Sequence, residues 1–109
     1  MTAPAEIDGR LCRLEEARRQ IQRQLDLIDR QIIRRMTALI PKLAPRRTAY
    51  RRGKPPDAGA FLERYRAHLA MLTAERQPEI DALSRRLARQ DQAIAALRER
   101  HGLVQKIAA

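Results

Sequence analysis

The densest chemistry in this chain lies in one run, PKLAPRRTAYRRGKPPD, from Pro41 to Asp57. Lys42, Arg46, Arg47, Arg51, Arg52 and Lys54 fall there with no acid among them, and Tyr50 stands in their midst. Cations this close together attract a polyanion: nucleic acid, an anionic membrane surface or an acidic protein face. Guanidinium groups contact phosphates, and a tyrosine ring stacks on a base. No base-reading motif accompanies them, so binding to nucleic acid would be nonspecific and strongly salt-dependent. A membrane reading is weaker, because the run has no Trp or Phe to enter the lipid interface. The plain alternative is that arginine is a solubilising residue in a chain that uses it throughout.

The other reactive residue types do not gather. Cys12, His68 and His101 are scattered, without the spacing of a CxxC or HExxH metal site. His68 is expected on a solvated face and His101 at a fraying helix end. Thr48 and Ser84 have no recognisable base partner, and no glycine loop could cradle a phosphate. No catalytic, metal or cofactor site is expected.

Long helical segments flank the basic run. In the first, Ile7, Leu14, Ile21 and Ile28 repeat every seven residues, with Leu11, Leu25, Ile32 and Leu39 between them. Arg18 and Arg35 interrupt this seam, their stems expected along it and their heads in water or on a facing carboxylate. Alternating steps of three and four place one apolar stripe along a helix that must pack on another. Leu27, Ile33, Met36 and Ile40 are expected to widen the stripe near the turn. Glu15 with Arg19 and Asp26 with Arg30 stand four apart, the spacing of helix-surface ion pairs.

Asp8 is the expected N-cap, and Pro41 is expected to stop the helix near Ile40. Asp57 would cap a second helix, whose seam reads Leu62, Tyr65, Leu69, Leu72, Ile80, Leu83, Leu87, Ile94, Leu97 and Val104, with Arg76, Gln90 and His101 also on it. Pro78 lies inside this run, yet the register continues across it. One long kinked helix ending at Gly102 is the expectation.

The predicted architecture is therefore all-α: an antiparallel helical hairpin in a single domain. It comprises a helix over about 8–40, a basic turn over 41–57, a helix over about 58–101 and a tail over 102–109. With no Trp, one Phe and two Tyr, the chain lacks the aromatic area of a thick core. A lone hairpin buries one seam, so self-association into a bundle or docking on a partner would complete the core. The net charge is +10. Residues 1–40 hold eight Lys/Arg against six Asp/Glu, residues 41–54 six against none, and residues 55–109 nine against seven. The excess sits in the turn. No run is long and apolar enough to span a bilayer, and MTAPAEIDGR lacks the apolar stretch of a secretory signal. A lone cysteine forms no internal disulfide, so a soluble cytoplasmic protein is expected.

Two resemblances add to this reading. LDLIDRQIIRRM followed by AYRRGKPPD resembles the first helix and loop of the AroQ-type chorismate mutases, all-α enzymes that hold a dicarboxylate with arginines and a lysine. Arg18 and Arg35 would be the buried cations. The family's catalytic arginine after the leucine-rich run is replaced by TALIPK, and its later Arg-Glu pattern by FLERYR. A second resemblance covers more of the chain. An amphipathic helix, a turn, then Phe61, Tyr65, Leu69 and Leu72 opening a long Gln- and Arg-rich helix is similar to the FliJ/YscO-like type III export stalk proteins. It implies an antiparallel coiled coil inserted into an ATPase ring, and no particular functional residues. The residues together point to a non-enzymatic coiled-coil interaction protein, with the seam residues Leu14, Ile21, Leu25, Ile28, Ile32, Leu69, Leu72, Leu83, Leu87 and Ile94 pairing the helices. The alternative is a small basic protein that binds nucleic acid nonspecifically through residues 42–54.

Overall fold

The structure, a computed structural model, describes the backbone of residues 4–43 and 58–108. Two α-helices account for all of them: α1 (Pro4–Leu43) and α2 (Ala58–Ala108). They form a helical hairpin, with no strand among the described residues. Contacts divide the chain into two compact units. Residues 1–26 and 79–109 make one, here the open-end unit; residues 27–78 make the other, the turn-end unit.

Both helices overrun the expected ends. α1 begins at Pro4, whose missing N–H costs nothing in a first turn that has no partner for it, and Glu6 complements the positive end of the dipole. Asp8 is therefore not the cap but an internal residue. At the other end α1 continues through Pro41 to Leu43. Leu43 is buried, at 7% exposure, and its carbonyl accepts a hydrogen bond from Arg64 Nη2 at 3.0 Å. Burying a leucine stabilises by about 1.5–3 kcal/mol, and a bonded terminal carbonyl adds to that. Together they offset the proline in the last turn.

α2 runs unbroken through Pro78 and past Gly102 to Ala108. A glycine inside a helix costs only about 1 kcal/mol relative to alanine, and the following Leu, Gln, Lys and Ala favour helix. With no proline behind it, Gly102 does not stop the chain. The tail expected over 102–109 is thus helical as far as Ala108.

Within each unit the helices run antiparallel, since partners rise in number on α1 as they fall on α2. Asp8, Glu15 and Arg18 meet His101, Arg98 and Asp91 in the open-end unit. Gln31, Arg35 and Leu43 meet Arg76, Glu75 and Arg64 in the turn-end unit. The seam of the open-end unit is closed by Ile7, Ile21, Ile94 and Leu97. That of the turn-end unit is closed by Ile28, Ile32, Met36, Leu43 and Leu72, the last at 1% exposure.

Candidate docking face

Two seam positions differ from the sequence expectation, and they create the site. After Ile32 the step is four, to Met36, not three, to Arg35. Met36 is 3% exposed, while Arg35 turns outward and donates to Glu75 at 3.1 Å. After Tyr65 the step is three, to His68, not four, to Leu69. His68 is half-buried with its Nδ1 shielded, rather than solvated, and Leu69 is 37% exposed. Phe61 likewise takes the inward position beside Leu62, which is 46% exposed. The ring of Phe61 stands 6.3 Å from that of Tyr65, within the range of favourable aromatic pairs.

The displaced side chains share one flank of the turn-end unit. Arg35 and Glu75 meet on the other flank. At 3.6 residues per turn, Ile33 and Ile40 stand about 140–160° around α1 from Arg35. Leu62 and Leu69 stand about 120–140° around α2 from Glu75. So these four face the same way. Ile33 and Ile40 are 55% and 41% exposed. They were expected to widen the buried stripe, and of that group only Met36 does. Leu27 is exposed as well, at 49%. Beside Leu69 a shallow groove of about 510 Å³ runs along α2, lined by Arg66, Leu69, Ala70, Thr73, Ala74 and Gln77. No acidic residue lines it. Asp29, one turn before Ile33, marks the far end of the apolar row.

The open-end unit has a groove of another kind, about 400 Å³, lined by Glu15, Arg18, Arg19, Asp91, Ile94 and Arg98. Every arginine in it is engaged. Arg18 donates to Asp91, Arg98 to Glu15 at 2.8 Å, and Arg19 pairs with Glu16 at 2.8 Å. Glu15 thus reaches across to α2 instead of pairing with Arg19, and Asp26 accepts from Gln22 instead of pairing with Arg30. Glu16 also accepts from Arg23. The hydrogen bonds from Arg19 and then Arg23 hold its carboxyl below the ordinary 4.5. Arg18 and Arg35 each answer a carboxylate on the facing helix, and neither contributes to a buried dicarboxylate pocket. His101 Nδ1 lies 3.4 Å from Asp8, an ion pair only when the ring is protonated.

The other seam residues named from the sequence lie as follows. Ile21, Ile28, Ile32, Leu72 and Ile94 are buried, and Leu14, Leu25, Leu83 and Leu87 are half-buried. Of the polyanion cluster, Lys42 is exposed on the last turn of α1. Arg46, Arg47, Tyr50, Arg51, Arg52 and Lys54 lie outside the described residues, as does the expected cap Asp57. Among the described residues no three His, Cys, Asp or Glu gather as a metal site, Cys12 is a free, exposed thiol, and no helix is long and apolar enough to cross a membrane. Comparison with protein-family models, curated proteins and solved structures finds no match to this chain.

Proposed function

We propose that this chain is a non-enzymatic, cytoplasmic interaction protein: a helical hairpin that docks on a protein partner through its turn-end unit. A stalk-like role in an export apparatus is the most specific form of this reading, and only the pattern of helices and turn supports it. The observation that carries the proposal is the row Ile33, Ile40, Leu62 and Leu69, four large apolar side chains left in water on one flank.

The competing reading is nonspecific nucleic-acid binding through the basic turn. Fluorescence anisotropy of labelled DNA and RNA, titrated from about 50 to 200 mM salt, separates the two. Weak binding, unchanged when Arg46, Arg47, Arg51 and Arg52 become Gln, is the expected result. Tight binding with a steep salt slope, lost in that variant, would replace the docking proposal with the nucleic-acid one.

A further inference from the structure

The ion pairs of the open-end unit occupy one of its two flanks. Glu15 meets Arg98 there, and Arg18 meets Asp91. At 3.6 residues per turn, Arg10 and Arg13 stand about 140–160° around α1 from Glu15. Arg86, Arg89 and Arg100 stand about 120–180° around α2 from Arg98. These five therefore share the opposite flank. All are exposed, and none pairs with a carboxylate among the described residues. The near balance of charge in this unit hides a segregation. One flank is neutralised across the helices, and the other is left cationic.

The residues between these arginines keep the strip clear. Steps of seven along α1 lead from Arg10 to Ala17 and Gln24, and from Arg13 to Gln20. The same steps along α2 lead from Arg86 to Ala93 and Arg100, and from Arg89 to Ala96. Residues seven apart lie about 20° apart around a helix, so no acid interrupts this surface. Glu6 and Glu79 stand at its two ends, one such step before Arg13 and before Arg86. From Arg86 to Arg100 the helix rises about 21 Å, the length of about six phosphates along one strand of a duplex.

The chemistry of the strip selects its ligand. A protein interface needs an apolar core, and a membrane-surface helix needs a broad apolar face. Alanine is the one apolar residue type on the strip between these arginines. A phosphate backbone needs no apolar contact: cations that displace its counterions suffice.

We propose that the flank carrying Arg10, Arg13, Arg86, Arg89 and Arg100 binds the phosphate backbone of a nucleic acid without reading its sequence. It is separate in sequence from the basic turn and lies in the other unit from the docking row, so the inference does not rest on the docking reading. The guanidinium groups donate to phosphate oxygens, and the short side chains of Ala17, Ala93 and Ala96 leave the backbone room to approach. This flank supplies the weak binding that remains once the turn arginines are removed.

The test uses the full chain with Arg46, Arg47, Arg51 and Arg52 replaced by Gln, so that those arginines do not contribute. The probe is a fluorescein-labelled duplex of mixed sequence, about 20 base pairs long, and anisotropy is followed from about 20 to 150 mM salt. Five phosphate contacts predict a slope of log affinity against log salt of about −4.5. Adding Arg10→Gln, Arg86→Gln, Arg89→Gln and Arg100→Gln should weaken binding at least tenfold and bring the slope to about −1. Lysine at the same four positions should restore it. The control adds Arg30→Gln, Arg34→Gln, Arg66→Gln and Arg85→Gln instead, four exposed arginines off the strip with the same change in charge. It should change affinity less than threefold. All eight positions are exposed on helices, and glutamine forms helix about as well as arginine. Both variants should therefore keep the helical circular dichroism of the starting chain. Equal losses in the two variants would mean that net charge alone attracts the duplex, and would overturn the inference. So would no binding by the starting chain, or tighter binding to polyglutamate or to phosphatidylserine vesicles than to the duplex.

Discussion

The two units of this hairpin are built from the same residue types and end as opposite surfaces. The open-end unit holds eleven Lys/Arg against nine Asp/Glu, and ion pairs cross between its helices beside the apolar seam. The arginines that line its groove answer carboxylates, so that groove offers a partner little. The turn-end unit holds twelve against four, and its cross-helix ion pair between Arg35 and Glu75 sits on the flank away from Leu62 and Leu69. The difference teaches that helix pairing by itself does not define an interface. What defines it is which flank is left without an internal answer.

The sharpest way to break this comparison is to truncate two leucines three residues apart. Leu72→Ala removes a side chain at 1% exposure, and a loss of about 2–5 kcal/mol in denaturant unfolding is expected. Leu69→Ala, at 37% exposure, should change stability by no more than about 0.5 kcal/mol. Similar losses at both would restore Leu69 to the seam and dissolve the docking face.

A smaller effect sharpens the description of the open-end unit. A methyl at Gly102 meets open space, and the helix continues beyond it. Gly102→Ala should therefore raise stability by about 0.5–1 kcal/mol, as in a helix interior. A decrease would mean that Gly102 ends the helix after all.

Smaller still is the worth of the ion pairs. Arg18 and Asp91 have side chains 41% and 51% exposed. A double-mutant cycle should give a coupling of about 0.2–1 kcal/mol that fades in high salt. A larger coupling, indifferent to salt, would contradict the solvated geometry.

The smallest effect is that of Glu16, whose folded carboxyl titrates below 4.5 because Arg19 and Arg23 hydrogen-bond it. A depressed acid contributes above its unfolded value and loses that contribution as pH falls through its folded one. Its resonance in a pH titration should move at lower pH than a free glutamate's. Arg19→Gln with Arg23→Gln should return it toward 4.5; no change would discard the pairing.

Much of the fold was legible, because apolar residues at steps of three and four leave few alternatives to paired helices. The face was not. From Tyr65 to Leu72 a chain can step four then three through Leu69, or three then four through His68. From Ile32 to Leu39 it can pass through Arg35 or Met36. Heptad spacing permits both paths. Apolar preference selects Leu69 in the first case and Met36 in the second, and only Met36 lies inside. Helix ends were misplaced for a related reason. Pro41 and Gly102 are penalties of limited size, and the burial of Leu43 and the helix-forming residues after Gly102 exceed them. A partner's chemistry is legible only as a complement, since one sequence carries one side of an interface.

The central claim is that the turn-end flank, and not the ion-paired unit, is the docking surface. Amide hydrogen exchange of the full chain with and without a co-purified protein partner tests it most directly. The account predicts added protection over residues 30–43 and 62–77, and none over 85–101. Protection confined to 85–101, or spread evenly along both helices, would contradict it.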